Sequence, residues 1–121
     1  MFALNFYNDL YGDALKKGRK SATIRLGDKS DKYQTGQLVW VTLGQRFGRH
    51  HKLFTAILDE VEVKPVRELS PRDIQRENPE FRTQDDVLQL LSRVYSRTVS
   101  LDDMVTIIYF SPVDEYGLDG V

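Results

Sequence analysis

The chain opens on an alternation. Phe2, Leu4 and Phe6 are apolar and the intervening Ala3 and Asn5 are small or polar, the period-two pattern of a strand with one face in a core. A short helix follows, carrying Leu10, Ala14 and Leu15, with Asn8 or Asp9 as its N-terminal cap. Lys16 and Lys17 suit its last turn and Gly18 its stop. Ala22 to Leu26 reads as a short strand and Gly36 as a turn. Leu38 to Leu43, rich in β-branched and aromatic residues, is the clearest strand, with Trp40 in its middle as a core residue. A loop with Gly44 and Gly48 leads to a long strand from about Leu53 to Val63, ended by Pro65.

The period then changes. Ser70-Pro71-Arg72-Asp73 combines an N-cap serine, a proline at the first helical position and an acid three residues on, and Thr83 with Asp86 repeats the capping arrangement. Val87, Leu90, Leu91 and Val94 fall at i, i+3, i+4 and i+7, one apolar stripe on a second helix. Met104 to Phe110 is apolar on both faces and closes the fold as a strand. The order is strand, helix, three strands, two helices, strand. Consecutive strands without crossover helices predict an α+β fold: five or six mostly antiparallel strands, curled into a barrel that hides its edges, with flanking helices. Residues 1–113 form the domain, and the acidic, glycine-containing residues 114–121 a flexible tail.

A length of 121 residues suits one domain, and thirteen aromatics (six Phe, six Tyr, one Trp) argue against disorder. There is no cysteine, which excludes disulfides, thiolate metal ligands, iron–sulfur clusters and a cysteine nucleophile, and fits a reducing cytosol. The start, Met1 to Asn8, does not resemble a signal peptide, and no apolar run has membrane-spanning length, so the expected location is the cytoplasm with no membrane partner. Net charge is −1, but its distribution is uneven. From Lys16 to Lys52 ten Lys/Arg face two Asp, a balance of +8, whereas residues 53–121 carry seven Arg/Lys against fourteen Asp/Glu, a balance of −7. The basic half suits either a solvated face or a surface for a polyanion.

The densest chemistry lies on Gly18-Arg19-Lys20-Ser21-Ala22-Thr23-Ile24-Arg25, between the helix stop and the second strand. Residues two apart on a strand share a face, so Thr23 and Arg25 point one way, toward a cleft or solvent, and Ala22 and Ile24 the other, into the core. Lys20 is expected near the cleft mouth. Cationic and hydroxyl groups so close together suit recognition of phosphate or carbonyl oxygens, or simply a solvated turn. His50-His51 lacks a third ligand at metal spacing and reads as an exposed loop pair, so no metal or other cofactor is expected. Among Tyr7, Trp40, Tyr95 and Tyr109, Tyr95 at a helix end is the best placed to stack on a base.

Gly18, Lys20, Thr23 and Arg25 together spell Gly-x-Lys-x-x-Thr-x-Arg, which resembles the signature of ASCH domains, relatives of PUA domains in fold. Thr35-Gly36 leading into a strand, and a helix ending in Tyr95 before a final strand, resemble that family's later landmarks. The resemblance implies a PUA-like curled barrel and RNA or a modified nucleoside as partner. Gly18-Arg19-Lys20 with Thr23-Ile24-Arg25 is also similar to the small bacterial N(4)-acetylcytidine amidohydrolases, which carry a glutamate in a Gln-Glu-Asn context where this chain has Arg76-Glu77-Asn78. This likeness implies Lys20 as proton acceptor, Thr23 as nucleophile and Glu77 as proton donor, with Arg19, Arg25 and Tyr95 binding the ligand. Such a triad needs seclusion: a threonine hydroxyl needs an adjacent base, and lysine becomes one only when its pKa is pulled down by burial or neighbouring cations. The alternatives are a non-catalytic RNA-binding module, or a ribonuclease, using the same basic cleft.

Overall fold

A computed structural model describes residues 2–45 and 47–113; the tail 114–121, Arg46 and the side chains of Asn8 and Asp9 lie outside the described residues. The elements run β1 (Ala3–Tyr7), α1 (Asn8–Lys16), β2 (Ala22–Leu26), β3 (Leu38–Gly44), β4 (His50–Pro65), a 3-10 turn (Val66–Glu68), α2 (Pro71–Glu77), α3 (Gln84–Tyr95) and β5 (Met104–Val113). The five strands form one sheet in the order β1-β3-β4-β5-β2. β1 runs parallel to β3 and the other three pairings are antiparallel.

The long strand β4 makes the curl. Its first half pairs with β3, and its second half with β5 from Thr55↔Val113 to Pro65↔Met104. Bulges at Val41/Thr42 and between Leu58 and Glu60 bend each ladder. The sheet closes into a half-barrel flanked by the helices. Its two edge strands, β1 and β2, thereby approach each other, and the Arg25 guanidinium spans the gap to donate to the Asn5 carbonyl at 2.9 Å. One core cluster joins Leu4, Phe6, Val41, Leu58 and Phe110; a second joins Ala22, Ile24, Val87, Leu91 and Ile107.

Most predicted elements form where the pattern put them. Both capping boxes are made, and in the first the Asp73 N–H donates to Ser70 Oγ at 3.1 Å while the Ser70 N–H donates to Asp73 Oδ2 at 3.0 Å. Ser70→Ala is expected to cost about 1 kcal/mol, read as a lower urea midpoint with an unchanged m-value. Gly18 stops α1 with φ 70°, and Gly18 and Arg19 N–H groups return to the Leu15 and Ala14 carbonyls in a Schellman motif.

Three local expectations are corrected. Trp40 is not core: Val39 and Val41 are fully buried, so the two-residue period puts Trp40 on the outer face, 45% exposed, with the Lys52 ammonium 5.7 Å from its ring centroid. His50 and His51 are not in a loop, because β4 begins at His50 and pairs these residues with Gly44 and Leu43. The cap position of α1 is held by Tyr7, without a side-chain cap, rather than by Asn8 or Asp9.

Candidate functional site

The gap between the edges of β1 and β2 is a cavity of about 410 Å³. Residues 5–7 and 23–25 form two walls, Leu10 and Tyr11 of α1 and the apolar stripe of α3 cover it, and His50 and Glu77 complete it. An open strand edge leaves backbone donors unpaired, and here side chains take them. The Ile24 N–H donates to Glu77 Oε2 at 2.7 Å, and the Leu26 N–H to the Tyr95 hydroxyl at 3.3 Å.

Lys20 follows the left-handed Gly18 and turns inward while Arg19 turns out. Its ammonium is fully buried and all three protons are used: on the Ala22 carbonyl at 2.7 Å, the Glu77 carbonyl at 2.7 Å and Glu77 Oε1 at 2.8 Å. Glu77, the last residue of α2 and 1% exposed, receives three donors, Lys20, the Ile24 N–H and the Tyr11 hydroxyl. Burial pulls the Lys20 pKa down to about 8 against the opposing pull of the Glu77 carboxylate, with Arg25 adding to the fall. Burial, then the adjacent Glu77 charge, pushes the Tyr11 hydroxyl well above the usual phenol range, so Tyr11 stays a donor. The Tyr11 ring also faces Lys20, 4.1 Å from ammonium to centroid.

Thr23 is 3% exposed, and its hydroxyl oxygen accepts from Arg25 Nε at 3.0 Å, which leaves its own proton to be given elsewhere. Arg25 is held by that bond, by the Asn5 carbonyl and by the face of Phe6 at 5.0 Å.

Of the residues singled out in the sequence, Thr23, Arg25, Glu77 and Tyr95 lie in the cavity wall, as does Tyr7. Lys20 sits behind the wall on Glu77 rather than at the mouth, because the turn after Gly18 sends it under β2. Arg19 is exposed and outside the wall. Tyr109 is buried and donates to Asp73 Oδ1 at 2.6 Å, a packing role away from the cavity. Two residues were not foreseen there. Tyr11 shares a helix face with Leu15, four residues on, a signal that could have marked it as inward. His50 enters the wall because β4 begins at His50, a strand start that the glycines at 44 and 48 mask in the sequence. Among the described residues no cluster of three His, Asp or Glu is placed to hold a metal ion.

No protein-family model and no curated protein matches the sequence. Solved structures match in fold. An ASCH domain from Lactobacillus crispatus JV V101 is 16% identical with a TM-score of 0.61, over 86% of this chain and 70% of that one. A protein of family DUF984 from Enterococcus faecalis V583 is 21% identical with a TM-score of 0.62, over 90% and 70% of the two chains. A hypothetical protein at 14% identity has a TM-score of 0.58, over 91% of this chain and all of its own. The chain therefore has the α+β, PUA-like fold of an ASCH domain.

Proposed function

We propose that the cavity hydrolyses the amide of an acylated nucleoside such as N(4)-acetylcytidine. The observation that carries this reading is the buried Lys20–Glu77 pair, whose Glu77 lines the same cavity as Thr23. A volume of about 410 Å³ lies in the range of small-molecule sites and suits one nucleoside rather than a polymer.

The pair holds one proton that both proposed roles require. Transfer along its 2.8 Å hydrogen bond turns ammonium and carboxylate into amine and carboxylic acid. The Thr23 oxygen then attacks the acyl carbonyl and gives its proton to the Lys20 amine. The C–N bond breaks as Glu77 protonates the leaving amine. Water next attacks the acyl-threonine, passing its proton to Glu77, and Lys20 returns a proton to Thr23. Arg25 steadies the Thr23 oxygen and the ligand, and Tyr7 and Tyr95 offer ring faces to the base.

Incubation of the protein with N(4)-acetylcytidine is expected to release cytidine and acetate. The pair loses its shared proton as pH rises through about 8, which leaves amine and carboxylate and no donor for the leaving group. The rate constant kcat/KM should therefore fall above that pH, and a profile still rising through pH 9 would contradict the shared-proton scheme.

The RNA-binding reading draws on the exposed Lys16, Lys17 and Arg19 at the α1 stop. It expects no turnover, and RNA affinity that falls steeply with salt as phosphate counterions are released. Cleaved RNA in the same incubation would favour the ribonuclease instead.

A further inference from the structure

We propose that the outer face of β1, β3 and β4 beside the cavity binds single-stranded RNA, with Trp40 stacked on a base and Lys52 on the phosphates, so that the acylated cytidine is taken as one nucleotide of a strand. This rests on the hydrolytic reading for the occupant of the cavity, a ribonucleoside; the strand that carries it lies outside. Trp40 is 45% exposed although both its neighbours in sequence, Val39 and Val41, are fully buried. Leu38, two residues back on the same face, is exposed as well. An open indole on a paired strand is a platform for any base, because every base has a π-face.

Charge decides the kind of partner. The Lys52 ammonium stands 5.7 Å from the Trp40 ring centroid. The Lys32 ammonium stands 5.6 Å from the ring of Phe2, which is also exposed and whose carbonyl accepts from the Trp40 N–H at 3.1 Å. Two exposed rings thus each have a cation beside them. The register rows of this face next to the cavity, Ala3–Trp40–Thr55 and Asn5–Thr42–Lys52, contain no acid. An apolar protein surface laid here would desolvate both ammonium groups without pairing them. A phosphate backbone pairs them, and its bases meet the rings.

The face runs into the cavity. Asn5 lines the cavity, and the Thr42 hydroxyl donates to Asn5 Oδ1 across the row that ends at Lys52. Arg25 donates to the Asn5 carbonyl from the cavity side. Arg25, Asn5, Thr42 and Lys52 therefore form one polar line over β1 and β3, with a cation at each end. Two strand spacings, roughly 10 Å, separate Asn5 from Lys52, and Trp40 lies roughly 7 Å along β3 from Thr42. A strand whose reacting nucleotide is held at Thr23 crosses Asn5 to reach both.

Trp40 is the only tryptophan of the chain, so its fluorescence reports this face directly. Titration with a short oligocytidine RNA is expected to quench it. Anisotropy of end-labelled RNA then gives the affinities of variants. Trp40→Leu should weaken binding ~5–100-fold, the value of a stacked base, and Trp40→Phe should recover part of the loss. Lys52→Gln should make the slope of log affinity against log salt shallower by about 0.7. An oligocytidine carrying one N(4)-acetylcytidine should be hydrolysed with a lower KM than the free nucleoside. Trp40→Leu should abolish that advantage and leave kcat/KM on the free nucleoside unchanged. RNA affinity that is unchanged in a folded Trp40→Leu protein, or that depends on Lys16, Lys17 and Arg19 instead, overturns the inference. So does emission that shifts with protein concentration and not with RNA, the sign of a second copy on this face. Wild type inactive on both nucleoside and oligonucleotide refutes the hydrolytic reading instead. In that case quenching by oligocytidine together with the weaker binding of Trp40→Leu upholds the RNA face, and the absence of either overturns it.

Discussion

Glu77→Ala is expected to be the most destabilising single change in the site, costing about 3–5 kcal/mol. The carboxylate carries no exposed surface to speak of, and its removal strands three buried donors at once: the Lys20 ammonium, the Tyr11 hydroxyl and the Ile24 N–H. Lys20 keeps two backbone carbonyls but loses its only counter-charge there. The β2 edge, which Glu77 seals, is opened to water. Denaturant unfolding followed by tryptophan fluorescence and circular dichroism measures the cost. The double variant Lys20→Met with Glu77→Gln separates charge from shape. It removes the cation together with the anion, while a glutamine oxygen still accepts from Ile24 or Tyr11. It should be clearly more stable than Glu77→Ala. A Glu77→Ala protein within about 1 kcal/mol of wild type would mean that water reaches Lys20 freely, contrary to its burial.

The limits of sequence reading here follow from the range of the interactions. Local signals held: the capping boxes at Ser70 and Thr83, the Gly18 stop and the α3 stripe depend on neighbours within a turn or two. The motif spacing also translated well, since Thr23 and Arg25 share a face of β2 and both reach the cavity. Trp40 failed because alternation says that two faces exist and not which residues face inward; the burial of Val39 and Val41 decides that. A lysine on a turn is ordinarily solvated, which points Lys20 to the mouth. Its burial depends on Glu77, 57 residues away. The glutamate was nameable only through a family resemblance, and its contact with Lys20 arises from the packing of α2 on β2. His50 depends on a bulge and on Gly44, which periodicity does not reveal.

Thr23 carries the largest expected effect on turnover. Thr23→Ala removes the attacking oxygen and should lower kcat by roughly a thousandfold or more, whereas Lys20→Ala removes the proton acceptor. Groups that act as one unit do not add, so the two single variants and the Thr23→Ala, Lys20→Ala double variant should be almost equally inactive. Stability separates them. Thr23→Ala loses one hydrogen bond from Arg25 and should cost about 0.5–1.5 kcal/mol, so the protein stays folded and still binds cytidine. Lys20→Ala leaves Glu77 without its cation and opens a cavity as well, and should be much less stable; Lys20→Met also lacks the cation but fills the space, which makes it the better partner for the kinetic comparison. Thr23→Ser keeps a hydroxyl and should retain measurable turnover, with Arg25→Ala acting mainly on KM. In a binding module the order reverses: Thr23→Ala is mild, and Arg25→Ala, which strips the cavity of its guanidinium, does the greater damage. Turnover and cytidine affinity measured on these folded variants decide between the two, and full activity of Thr23→Ala would remove the nucleophile from the scheme and with it the acyl-threonine intermediate.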